Sequence, residues 1–172
     1  KEKSIRAKKS KYYTKKDYLL SGIQVIDAAS FIAGPSAATI MSDYGAEVIK
    51  IEPQNGDSLR NLITNGRMPE GPENYCWELT SRNKKSVSLN LKDQKAHNIL
   101  IDLIKEADVF ITNMPFPIRK KLKITSDDIR PHNAKLIYAS LTGYGEVGPD
   151  ADRTAYDSVA WWARSGLMDF VR

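Results

Sequence analysis

Five short apolar runs recur along the chain, each bracketed by polar or glycine-rich stretches: Ile23, Val25 and Ile26; Val48, Ile49 and Ile51; Val87 and Leu89; Val109, Phe110 and Ile111; and Leu136, Ile137 and Tyr138. Their β-branched and aromatic content predicts short strands. Between the third and fourth runs the spacing changes. Ala96, Ile99, Leu100, Leu103, Ile104 and Ala107 recur three and four positions apart and predict a helix over 92–107 with these residues on its packed face. Shorter helices are expected over 35–44 and 118–122, from Ser126 to a stop at Pro131, and over 157–167, where Val159, Trp161, Trp162 and Leu167 are the apolar positions. Residues 53–77, rich in Pro, Gly, Asn and Asp, predict a long excursion over the surface. Strands alternating with helices imply an α/β fold, a doubly wound and mainly parallel Rossmann-like sheet. Ligands in such sheets sit outside the carboxyl ends of the strands.

Residues 22–52 form the first β-α-β unit. Gly34 and Pro35 make a sharp turn in which proline starts a helix without losing a needed N–H, and Gly45 ends that helix in the left-handed conformation. The turn exposes helix-start amides. A second glycine-rich stretch, Gly143-Tyr144-Gly145-Glu146-Val147-Gly148, matches G-x-G-x-x-G after a strand. It is not a dinucleotide fingerprint: Pro149 and Asp150 follow, where the fingerprint needs a helix opening onto pyrophosphate. We expect a mobile loop there.

Composition narrows the function. At 172 residues and 41% hydrophobic, the chain suits one core-bearing domain. The net charge of +5 sits at one end: the first 17 residues hold eight Lys or Arg against two Asp or Glu, and the remainder 18 against 19. Residues 1–19 are therefore a basic linker or tail, solvated or able to hold a polyanion, and the domain over 20–172 carries no nucleic-acid signature. No run approaches the ~18 apolar residues of a membrane helix, and no signal peptide is visible, so a cytoplasmic protein without membrane contact is expected. Cys76 excludes an internal disulfide and is expected to be buried; with His97 and His132 it lacks the spacing of a metal site. The start at Lys1 leads us to expect a segment of a longer polypeptide, or one following a cleavage.

Several segments, in order, resemble the class III (CaiB/BaiF-type) CoA-transferases. AGPSAATIMSDYGAEVIKIE over 33–52 is similar to that family's N-terminal signature, NKKSVSLNLK over 83–92 to its NRxKxSxxLDLK block, and ADVFITN over 107–113 to its ADVxxxNF segment. The glycine loop matches its GYGxxGP. The resemblance spans about 20–172, and the neighbourhoods of Asn83, Gly143 and Trp161 look closest to the 2-hydroxy-acid group, including the phenyllactate transferases. It implies a CoA-binding floor made by Ile32, Ala33, Leu89, Lys92, Asn113, Met114, Lys121 and Tyr156, with CoA or acyl-CoA as substrate and no permanently bound cofactor. For Lys84 and Lys85 a solvated basic turn is the favoured reading, and for the basic helix of Arg119, Lys120 and Lys121 a solvated end stays open beside phosphate binding.

The resemblance further implies a full-length enzyme that moves CoA from an acyl-CoA to a carboxylic acid through an aspartyl intermediate, working as an interlocked homodimer. The family's nucleophilic aspartate would fall beyond residue 172, since Asp169 matches the segment before it; this chain alone is expected to be inactive. Two alternatives stay open. The related α-methylacyl-CoA racemases carry histidine where Tyr156 stands, and a phenol with an ordinary pKa of roughly 10 is a poor base at neutral pH. A non-catalytic CoA-binding half of a tandem or split transferase is the other.

Overall fold

A computed structural model describes residues 18–62, 71–156 and 158–171; the basic tail over 1–17 lies outside the described residues. Five strands, β1 (Gln24–Asp27), β2 (Glu47–Glu52), β3 (Lys85–Ser88), β4 (Val109–Thr112) and β5 (Ile137–Ser140), form one sheet in the order β3-β2-β1-β4-β5, with every pairing parallel. The chain passes between them through α1 (Ala33–Asp43), α2 (Tyr75–Ser81), α3 (Gln94–Glu106), α4 (Phe116–Leu122) and α5 (Ser126–Ile129). The doubly wound α/β sheet expected from the sequence is thus the fold observed.

A parallel sheet covered on both sides buries alternate residues on opposite faces. On one face Ile26, Ile51 and Phe110 pack with Leu100, Ile101 and Ile104 of α3 and with Ile124, Ile129 and Leu136. On the other, Val25, Val48, Val109 and Ile111 pack with Ala38 of α1 and with Ala29. Small residues let α1 lie close to the sheet. A Cβ on Gly34 would stand 2.4 Å from the Cβ of Ala29, so the first turn of α1 touches the turn leaving β1. Gly45, at φ 98°, ends the helix as expected and turns the chain into β2.

Three local expectations are corrected, while α5 begins at Ser126 as expected. In α3 the buried arc is Leu100, Ile101 and Ile104, while Ile99 is 48% exposed, because the helix is rotated so that 101 meets the sheet. The cap of α5 is Thr125, whose hydroxyl accepts from the Asp128 N–H while the Asp128 carboxylate accepts from the Thr125 N–H, a reciprocal capping box. Among the described residues no regular helix runs through 158–167, and Asp157 lies outside them. Ser158–Ala163 makes one wide turn and Leu167–Val171 a 3-10 turn, with Val159 and Trp161 more than half exposed. Cys76 is half-buried, not buried. Among the described residues no helix is long and apolar enough to cross a membrane.

Candidate functional site

β1 and β4 leave the centre of the sheet in opposite directions along its strand order, and the connections at their carboxyl ends part to leave a crevice. An open cleft of about 1310 Å³ lies there. Ser30, Phe31 and Ala33 form one wall after β1, and Asn55, Gly56 and Ser58 a second after β2; Asn113 and Met114 follow β4, and Leu141, Thr142, Gly143 and Tyr156 follow β5.

The turn after β1 is held by side chains. The Ala29 N–H donates to Asp27 Oδ1 at 3.1 Å and its carbonyl accepts from Lys50 Nζ at 2.9 Å. The side-chain amide of Asn113 grips Ser30 twice, accepting from its N–H and donating to its carbonyl, both at 2.8 Å. The Phe31 N–H donates to Asp57 Oδ1 at 3.2 Å. Phe31 itself sits at φ 70°, and its ring meets that of Tyr156 edge-on, centroids 6.2 Å apart.

Beneath the turn lies a buried ionic cluster. Lys50 is 3.0 Å from Asp57 and 3.8 Å from Asp27, and Lys84 donates to Asp27 at 2.9 Å and to the carbonyls of Pro35 and Thr80. These four side chains are at most 3% exposed. Burial pushes the Lys84 ammonium below its ordinary pKa, while the Asp27 charge pulls the other way. Alongside, Arg60 clasps the Glu52 carboxylate with two bonds of 2.7 Å and stacks on Trp77 at 3.7 Å. Burial raises the Glu52 pKa, but hydrogen bonds from Arg60, Ser86 and the Asp57 N–H together with the Arg60 charge outweigh it and hold the carboxyl at about 2, from 4.5. On acidification the unfolded chain therefore takes up this proton first. The stability that Glu52 contributes is present above about pH 4.5 and is lost as pH falls toward 2. Urea midpoints between pH 6 and pH 3 should fall less steeply for Glu52→Gln than for the unaltered chain; equal slopes would show that Glu52 carries none of the acid sensitivity.

Arg119 braces the far side. It is 1% exposed and donates to the Met114 carbonyl at 2.7 Å, to Ser140 Oγ at 2.9 Å and to the Glu146 carboxylate. The glycine loop expected to be mobile is thus tethered at its centre, with Glu146 also accepting from Ser140. A hydrogen bond from Ser140 lowers the Glu146 pKa, burial opposes it, and Arg119 adds to the lowering. No helix opens after Gly148, which agrees with the rejection of a dinucleotide fingerprint.

Ala33, Asn113, Met114 and Tyr156 therefore converge on one cleft, with Ile32 beside them at the cap of α1. Leu89, Lys92 and Lys121 are not among the lining residues. Leu89 is 8% exposed in the core at the end of β3, Lys92 is exposed before α3, and Lys121 is exposed on α4. The solvated readings of Lys84 and Arg119 are overturned, since both side chains are buried against acceptors; Lys85 is exposed and pairs with Glu47. Sequence reasoning missed Asp27, Lys50 and Asp57. The available signal was a charged residue inside each of two apolar strands, Lys50 in EVIKIE and Asp27 in QVID.

Residues 20–171 match the family model described as CoA-transferase family III. The (R)-2-hydroxy-4-methylpentanoate CoA-transferase of Clostridioides difficile is 41% identical over 154 residues, covering 89% of this chain and 39% of that protein. The cinnamoyl-CoA:phenyllactate CoA-transferase of Clostridium sporogenes is 41% identical over 150 residues, covering 87% and 36%. A solved CAIB/BAIF family protein from Brucella suis superposes with a TM-score of 0.76 at 30% identity, covering 88% of this chain and 40% of that one. The chain thus spans about two fifths of the length of these relatives.

Proposed function

Because the chain belongs to CoA-transferase family III, we propose that its cleft is the floor of a coenzyme A site and that the full-length protein moves CoA from an acyl-CoA to a carboxylic acid. The observation that carries this is the convergence of Ala33, Asn113, Met114 and Tyr156 at the carboxyl ends of β1 and β4. The relatives' names favour a 2-hydroxy acid among the substrates. In the reaction proposed, a carboxylate of the enzyme attacks the thioester carbon and expels CoA thiolate, leaving a mixed anhydride. The thiolate then attacks the enzyme's acyl carbon and releases the donor acid as its carboxylate, and the acceptor repeats the exchange. We place that nucleophile in the part of the relatives that this chain does not span. Tyr156 serves as a contact, not as a base, which favours transfer over racemisation. A cytoplasmic, interlocked homodimer with no permanently bound cofactor belongs to the same reading.

Two measurements test it. Calorimetric titration should show CoA binding, weakened at least about tenfold by Ala33→Trp, which fills the cleft from an exposed position. The protein expressed from its complete gene should exchange CoA between an acyl-CoA and a 2-hydroxy acid. Deuterium entering the α-carbon of an acyl-CoA without such exchange would establish the racemase reading instead.

A further inference from the structure

The wall of the cleft after β1 owes its shape to groups outside it. Phe31 is left-handed at φ 70°, a conformation that a residue bearing a Cβ holds only where its surroundings impose it. The imposing contact comes from another element: Asp57, in the loop after β2, accepts the Phe31 N–H through Oδ1. Asp57 is 3% exposed and is itself fixed, by Lys50 at 3.0 Å, by the Leu59 N–H at 2.9 Å, and through its own N–H by Glu52 at 3.0 Å. On the opposite side Asn113 spends both ends of its amide on the backbone of Ser30.

We propose that Asp57 and Asn113 are positioning residues: they hold the left-handed turn at Ser30 and Phe31, and with it the Phe31–Tyr156 aromatic wall, in the geometry that receives the ligand. The inference rests on the reading of the cleft as a coenzyme A site. It gives Asn113 a task besides any contact with CoA, because its amide oxygen and its amide NH2 group each already serve the turn. A wall shaped before the ligand arrives spares the ligand the cost of ordering it. Lys50 and Glu52 act one step further out, by fixing the carboxylate that fixes the turn.

The test uses the protein expressed from its complete gene, with CoA as the probe. Asp57→Ala should weaken CoA binding about tenfold, as loss of a hydrogen bond to a charged group does. In the same variant the Phe31 amide should lose more protection than those of Phe110 and Ile111 in β4, which fall only by the global loss of stability that follows from stripping Lys50 of a buried partner. Asp57→Asn retains an oxygen that accepts the Phe31 N–H and should restore most of both effects. Unchanged CoA affinity and unchanged Phe31 exchange in Asp57→Ala overturn the proposal. So does a loss of protection at Phe110 and Ile111 equal to that at Phe31, which would make Asp57 a general support of the fold. If Asp57→Ala does not fold, Asn113→Ala gives the same reading from the other side: faster exchange at Ser30 with weaker CoA binding supports the proposal, and unchanged exchange overturns it. Failure of the unaltered protein to bind CoA refutes the coenzyme A reading itself, whereas CoA binding that Asp57→Ala leaves unaltered refutes this inference alone.

Discussion

Lys50→Met is expected to lower the free energy of unfolding by about 3–5 kcal/mol, the usual cost of removing one partner from a buried ionic group. Methionine fills the same space, so the loss is electrostatic. It leaves Asp57 beside Phe31 without its cation, Asp27 with Lys84 alone, and the Ala29 carbonyl without a donor. Neither carboxylate can turn to water, because both are at most 3% exposed. Urea denaturation at pH 7 reads the change as a lower midpoint with unaltered slope. Adding Asp57→Asn to Lys50→Met should recover part of the loss by neutralising the stranded charge while keeping an acceptor. A loss below about 1 kcal/mol for Lys50→Met, the range of exposed pairs, would show that the cluster is not a buried ion network.

Phe110→Ala should cost a similar amount, about 3–5 kcal/mol, for an unrelated reason. Phe110 is fully buried at the middle of β4, opposite Ile26, and its ring stacks on that of Tyr138 with centroids 5.5 Å apart. Alanine removes the ring and leaves a cavity that α3 and the sheet cannot close without moving. The matched control is Phe170→Ala. That ring is 86% exposed, so the change should stay within about 0.5 kcal/mol. Thermal unfolding of the two variants separates them, and near-equal midpoints would mean that the core is not centred on β4.

Phe110 and Lys50 also mark the limit of what the sequence conveys. Phe110 is legible because an apolar run of strand length between two helices has one favourable destination, and all five strands and α3 were found on that principle. The same rule hid Lys50. A lysine in a strand reads as a solvent-facing position, and only the register that sets Lys50 opposite Asp27, with Asp57 returning from the loop after β2, gives the charge somewhere to be buried. Lys84 and Arg119 fail to read for the same reason. Each looks like part of a basic surface run until its acceptors, the carboxylate of Asp27 for Lys84 and the hydroxyl of Ser140 for Arg119, are brought in from strands 57 and 21 positions away in the chain. Ile99 and the 157–167 segment were misjudged on a smaller scale: periodicity shows which residues share a face, but the rotation of that face, or whether anything covers it, depends on neighbours.

What the sequence by itself determined is the class and order of the elements, the family likeness, and four residues of the cleft, Ala33, Asn113, Met114 and Tyr156. Local propensity and hydrophobic period act over a few positions and survive in the string of letters. The tertiary structure alone decided that Leu89, Lys92 and Lys121 do not line that cleft, that the glycine loop is tied down through Glu146, and that the turn at Ser30 and Phe31 bonds to Asp57 and Asn113 from elsewhere in the chain. The last of these rests on side chains that bond backbone groups 26 and 83 positions away, and such a pair exists only once the sheet has closed the distance.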